Sequence, residues 1–285
     1  MKMKKSLLFA GLCALLLACN GNDKPVIPTQ NSDSFLYSDS SACAHVRLEG
    51  ELPLPTDPVQ TAIRTDLLSL VEDLYKNVTD LGEGTALATY SGDRSVMQNV
   101  ATYYGEKIYT LLQQECLDEL AEMERQDTIC YEVLSTLNKT EETPLYVQYT
   151  EETYTYMGGA HGGMGGLGVL TYRLKDGQRI SQFLKPGAQQ ALQPLLRAGL
   201  KDYFEDPTMT DEALLENLLL PEDQQGIPMP QYYPMYLDGE GNLCLEYAQY
   251  EIAPYAAGMP VCCIPLSQLQ EWLTDDARSI IGETE

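Results

Sequence analysis

The chain reads as an α+β protein: a largely antiparallel sheet with helices packed on it, in two halves of similar size. Three patterns predict this. Two long apolar stripes at helical spacing fill residues 57–120. Strands cluster between 129 and 174, with tyrosines in alternation. A turn-rich second part carries a hairpin pattern at 232–247.

At the N-terminus Lys2, Lys4 and Lys5 precede the apolar run Ser6 to Ala18. That run is too short to span a bilayer as a mature helix, and the layout predicts a secretory signal over 1–18. Its close, Leu16-Leu17-Ala18-Cys19, resembles a bacterial lipoprotein signal. The resemblance implies that Cys19 becomes the lipidated first residue, tied to an envelope membrane. An ordinary signal peptide or a buried apolar helix is the alternative. Asn20 is not the aspartate associated with inner-membrane retention, which points to the outer membrane. Residues 19–35 are polar and proline-bearing and read as a flexible tether.

The first half is assigned to 36–157. Cys43 to Leu52 alternates as a strand. Asp57 caps a helix, Pro58 suits its first position, and Gln60 completes a capping-box-like spacing. Val59, Ile63, Leu67, Leu70, Val71 and Leu74 form its apolar face, and Leu81 to Gly84 end it. A second helix is predicted from Ser95, with Gln98 three residues on. Met97, Val100, Tyr104, Ile108, Leu111, Leu112, Leu117 and Leu120 form its stripe. Ile129 to Met157 then reads as strand, with Tyr154 and Tyr156 on one face.

The second half is assigned to 158–275. Gly158 to Gly168 interrupts the strands, Leu170 to Leu174 resumes, and Lys175-Asp176-Gly177 turns. A helix covers part of Ala188 to Phe204, starting at Pro194 if the proline is to be tolerated. Asp211 to Leu220 is a short helix. Tyr232–Leu237 and Leu243–Tyr247 form a hairpin around Asp238 to Asn242. Val261 to Ile264 is the last strand, Leu266 to Leu273 a closing helix, and 276–285 a polar tail.

The formal charge is −24, and removal of the signal with its three lysines takes it to −27. Such a chain repels nucleic acid and anionic headgroups and attracts cationic proteins, chiefly by speeding encounter. The other reading is that the charge only maintains solubility. Tyrosine is abundant at 19, against 4 Phe and 1 Trp. It suits half-buried strands and recognition surfaces alike. Of the 8 cysteines, Cys13 leaves with the signal and Cys19 is the acylation site. Six remain for an oxidising compartment. Cys262 and Cys263 point to opposite faces of a strand, so one of them is placed to pair with Cys244, unless the thiols stay reduced and buried. No Cys or His spacing suggests a metal, and no HExxH or GxSxG motif occurs. No cofactor, metal or catalytic residue is predicted.

Two motifs stand out. Tyr156-Met157-Gly158-Gly159-Ala160-His161-Gly162-Gly163 holds one of only 2 histidines in a glycine turn. His161 there is either a structural residue, a binding contact or a base. Tyr250-Glu251-Ile252-Ala253-Pro254-Tyr255-Ala256-Ala257-Gly258 is a compact corner. Its Glu251 and Tyr255 either shape the turn or contact a ligand.

Together the motifs resemble the extracytoplasmic domain of the RsiV-like anti-sigma factor family, a domain also found in PdaC-like peptidoglycan deacetylases. The likeness rests on GGAHGG, the following strand and Lys-Asp-Gly turn, and YEIAPYAAG before Val261 to Pro265. It covers about residues 150–273. It implies a receptor for lysozyme, a basic enzyme, and no catalytic activity. It carries His161, Glu251 and Tyr255 over as contact candidates. The chain shows no sigma-binding segment, spanning helix or deacetylase module. The expected function is therefore a lipid-anchored, non-catalytic domain binding a cationic envelope-active protein or a peptidoglycan fragment, with no nucleic acid partner. A wall hydrolase using paired carboxylates, or a structural envelope lipoprotein, is the alternative.

Overall fold

The computed structural model describes residues 32–77, 86–122, 130–158, 162–220 and 226–282. The signal peptide, Cys19, the tether up to residue 31, the Leu81–Gly84 stop, Ile129, His161 and residues 283–285 lie outside them. No described helix is long and apolar enough to cross a membrane.

The fold is α+β, as expected, with nine strands and six α-helices among the described residues. The larger sheet holds β1 (Ser32–Ser40), β2 (Ala44–Pro53), β3 (Tyr131–Glu142), β4 (Tyr146–Tyr156), β5 (Met164–Arg173) and β6 (Arg179–Ile180) in sequential order. Among the described residues only β2 and β3 pair in parallel, and the chain between them crosses over through α1 (Pro58–Asn77) and α2 (Met97–Glu122). That is the long helical connection a parallel pair requires. The second part carries α3 (Ala188–Ala191), α4 (Gln193–Tyr203), α5 (Asp211–Glu216), the antiparallel sheet β7 (Tyr236–Leu237), β8 (Asn242–Glu246) and β9 (Val261–Pro265), and α6 (Asp275–Ile281).

Two cores result. The first buries Ile63, Leu67 and Val71 of α1 and Met97, Val100, Tyr104, Ile108 and Leu112 of α2 against Val46, Leu48, Val133 and Leu137. Asp57 starts α1 as expected: its Oδ1 accepts from Val59 N (2.8 Å) and Gln60 N (2.9 Å). The buried polar groups here are paired. Arg64 donates to Pro53 O (3.1 Å), Asp33 (2.6 Å) and Ser95 O (2.8 Å). Glu72 accepts from Tyr104 Oη (2.9 Å) and Arg94 (3.1 Å). A Cβ at Gly105 would collide with the Tyr37 ring, so glycine lets α2 lie close on β1.

The second core gathers Leu196 and Leu200 of α4, Leu214 of α5, Leu243 and Leu245 of β8, Ile264 of β9 and Ile280 of α6. It lies against the opposite face of the larger sheet, where Gln148 acts as the fastener. The Gln148 amide donates to Leu237 O (2.9 Å) and accepts from Leu237 N (3.2 Å) and Thr171 Oγ1 (2.9 Å). One side chain thus supplies β7 with both halves of a ladder step. The Cys244–Cys263 disulfide joins β8 to β9, and Cys262 turns to the buried face. Of the two cysteines placed to meet Cys244, the chain uses Cys263.

Several expectations change. Residues 32–35 are not tether: they open β1, with Phe35 buried. The edge strand is mostly polar because few of its side chains face the core. Gln98 does not close a capping box. Its amide donates to Leu36 O (2.8 Å) and accepts from Leu36 N (3.0 Å), covering the edge of β1, and α2 begins at Met97. The glycines from 165 to 168 do not interrupt the sheet but belong to β5. The larger sheet therefore runs past residue 158, and the two cores part near residue 180. Leu266–Gln268 is only a 3-10 turn, and the predicted polar tail contains α6. Thr274 caps α6 by accepting from Ala277 N (3.1 Å), and Ala277 and Ile280 are buried.

Candidate functional site

The two sequence motifs meet in space. The second motif follows β8 as an irregular loop that makes few ladder bonds, so side chains hold its backbone. Glu251 does most of this. Its Oε1 accepts from Gln231 N (2.6 Å) and its Oε2 from Ala248 N (2.8 Å). The carboxylate therefore pins two separate stretches of chain. Ile252 and Ala253 are buried beside it. Tyr250 takes a left-handed φ of 65°, unusual for a bulky residue. Pro254 then leads into a 3-10 turn, Tyr255–Ala257, whose Ala257 O accepts from Tyr203 Oη (2.7 Å).

The first motif lies at the tip of β4 and β5. His161 is outside the described residues, but Gly162 and Gly163 beside it are described. Tyr154 lies over Gly163, where any Cβ would strike the ring. Tyr255 Oη donates to Gly163 O (3.0 Å) and links the motifs directly. Two further bonds act at Gly165, on the stretch of β5 that β6 does not reach. Its N–H donates to Gln249 Oε1 (3.1 Å), and its carbonyl accepts from Tyr233 Oη (2.9 Å).

The surface over this junction is aromatic. Tyr232 is 71% exposed, Tyr250 49% and Met164 47%. The Tyr250 and Tyr255 rings lie 5.7 Å apart, tilted by 35°. Such rings offer flat apolar faces and hydroxyls at little conformational cost. Of the predicted site residues, Tyr255 contributes to this surface and Glu251 shapes it from beneath. Tyr203, Tyr233, Gln249 and Tyr154 complete it. Tyr154 stood on a recognisable tyrosine face; the other three carry no local pattern that marks them.

Acidic groups lie behind the junction. Glu246 on β8 is buried and accepts from Tyr236 Oη (3.1 Å). Burial, with Glu152 on β4 adding repulsion, pushes its carboxyl up to about 7. Burial also raises Glu152. On the other face of β4, Glu151 accepts from Ser135 Oγ (3.2 Å) and is pushed up to about 7, mainly by burial. Burial thus raises all three carboxyls, and the hydroxyls of Ser135 and Tyr236 bond Glu151 and Glu246. A separate depression of about 450 Å³ is lined by Pro194, Arg197, Lys201 and Asp211, and shares no residue with the tyrosine junction.

No curated protein matches the chain. Residues 181–267, which include the second motif and most of the second core, match the family model DUF3298, a protein of unknown function. A structure of a DUF3298-family member from Bacteroides fragilis is similar over 86% of this chain and 93% of its own, with TM-score 0.61 and 15% identity. A DUF3298-family structure from Pseudomonas aeruginosa is similar over 90% and 98%, with TM-score 0.52 and 18% identity. The chain thus shares its fold with two solved DUF3298 proteins and matches that family's model across its second core.

Proposed function

We propose that this chain is a non-catalytic envelope receptor, lipid-anchored through Cys19 at the outer membrane, that captures a cationic envelope-active protein of the lysozyme type. The carrying observation is the junction of the two motifs, closed by the Tyr255–Gly163 bond and surfaced by Tyr250, Tyr232 and Met164. Its tyrosines suit a protein contact, and His161, outside the described residues, directly precedes Gly162 in the sequence. The formal charge of −24 favours a basic partner, and charge of that size acts mainly on the rate of encounter. The likeness to RsiV-like domains supports the same reading. Glu251 serves as the brace of this surface, since both its oxygens hold backbone amides.

The test is the association rate of the full chain with a cationic lysozyme at low and at high salt. We expect a drop of roughly tenfold or more between about 0.05 and 0.5 M salt, because a Debye length of about 8 Å at physiological strength shrinks toward 3 Å at 1 M. Rates that do not change with salt would overturn the electrostatic part of the reading. Binding of soluble peptidoglycan fragments without any affinity for lysozyme would replace the partner. Release of new reducing ends from peptidoglycan would replace capture with hydrolysis.

A further inference from the structure

The first core contains three cysteines that neither the junction nor the Cys244–Cys263 bridge uses: Cys43, Cys116 and Cys130. Their placement follows from the way α2 crosses the start of the parallel strands. One face of α2 touches that region at successive turns. Gln113 donates to Ser41 Oγ (3.3 Å) in the β1–β2 turn. Cys116, three residues on, lies one turn further along the same buried face. Glu119, three further on, accepts from the hydroxyl of Tyr131 at the start of β3. Cys116 is buried, and Cys43 packs against the same core while keeping partial exposure. Cys130 stands beside Cys43, because Tyr131 N donates to Cys43 O (2.9 Å) and Ala44 is in register with Tyr131. Its thiol points to Ser41 O (3.9 Å).

We propose that Cys43 and Cys116 are a disulfide-forming pair that staples α2 to the start of β2, with Cys130 as the neighbouring thiol able to exchange with it. The Gln113–Ser41 and Glu119–Tyr131 contacts on either side of Cys116 bring its turn of α2 over the strand start at Cys43, whose carbonyl accepts from Tyr131 N. The proposed envelope location, on which this inference rests, is one where such bonds persist.

The reaction is thiol–disulfide exchange with a disulfide donor, either a protein oxidant or a low-molecular-weight disulfide. Cys43 attacks first, since it is the more accessible of the pair and burial pushes the Cys116 thiol up to about 12. Its thiolate displaces one donor thiol and forms a mixed disulfide. Cys116 Sγ then attacks Cys43 Sγ and displaces the second donor thiol. Two protons and two electrons leave the cysteine pair, and the donor's disulfide is reduced to two thiols. Cys130, beside Cys43 at the start of the neighbouring strand, is the other thiol at hand, which makes a Cys43–Cys130 bond the competing product.

The full chain, incubated with oxidised glutathione, is quenched with an alkylating reagent in denaturant and digested without reductant. Mass spectrometry should show a Cys43–Cys116 linked peptide beside Cys244–Cys263, with Cys130 alkylated. The Cys43→Ser variant should melt roughly 10 °C lower than the oxidised wild type, as expected for a bridge closing so long a loop. Cys130→Ser should keep the bridge and melt within about 2 °C of it. Alkylation of both Cys43 and Cys116, or Cys43 linked only to Cys130, would overturn the assignment. If Cys43→Ser fails to fold, the linkage map of the wild type still decides.

Discussion

The two cores are built by opposite means. In the first, two long helices lay continuous apolar stripes on a sheet, and its buried charges, Arg64 and Glu72, join separate elements. In the second, elements are short, and single side chains do what a ladder or helix turn does elsewhere. Gln148 fastens β7, Glu251 holds two loop amides, and Tyr203, Tyr233 and Tyr255 each bond a backbone carbonyl. Periodic structure gives the first core its stability. The irregular second part leaves its backbone open to shaping, and the aromatic junction arises there. Loops braced by a rigid scaffold are where recognition surfaces commonly form.

The contrast can be broken from its stronger side. Arg64→Ala removes a buried guanidinium from Asp33, Pro53 O and Ser95 O at once. The expected loss in a urea titration is about 3–5 kcal/mol, because Asp33 and two carbonyls lose their partner. A loss under about 1 kcal/mol would mean that the helix stripes alone hold this core.

Gln148→Leu should cost about 2–4 kcal/mol by leaving Leu237 N and O without their partner. The damage should concentrate in the second core, with amides of β7 and β8 exchanging faster than those of α1 and α2. Uniform acceleration across both would show that the two cores unfold together.

Buried acid sharpens the comparison further. Glu246 has its folded pKa raised to about 7 from 4.5, chiefly by burial. A raised folded value means that its contribution is fully present below pH 4.5 and is lost as pH rises through 7. Glu151 titrates in the same direction. Stability should therefore fall between these limits, and Glu246→Gln should flatten the fall and gain about 2 kcal/mol at pH 8. A profile rising through this window would contradict the burial account.

Tyr255→Phe is the mildest change. It removes one hydroxyl bond to Gly163 O, worth about 1 kcal/mol, and keeps the ring. Thermal melting should shift by a few degrees at most, while lysozyme affinity falls as the two motifs separate. Unchanged affinity would make the bond purely structural.

The same contrast explains what the sequence discloses. The helix stripes, the Asp57 cap, the tyrosine-bearing strands and the Cys244 pairing leave periodic or positional marks, whereas the parallel pairing of β2 with β3 does not. The edge strand β1 does not, since only Phe35 and a few neighbours face inward. Neither does α6, whose two buried residues, Ala277 and Ile280, are too few to show a period. At the junction the sequence marks Glu251 and Tyr255 through a compact motif. It cannot disclose Tyr203, Tyr233 or Gln249, because their meaning comes from contacts between residues far apart in the chain. Gln98 illustrates the limit: its spacing from Ser95 suggests a cap, whereas its amide serves the backbone of Leu36.

The central claim is that the junction of the two motifs is the surface that receives a cationic protein. Amide hydrogen exchange of the full chain, with and without a cationic lysozyme, tests it directly. Slowed exchange at residues 162–165 and 248–259, with α1 and α2 unchanged, is the predicted footprint. A bound complex that protects the first core or β1 and leaves the junction untouched would contradict it.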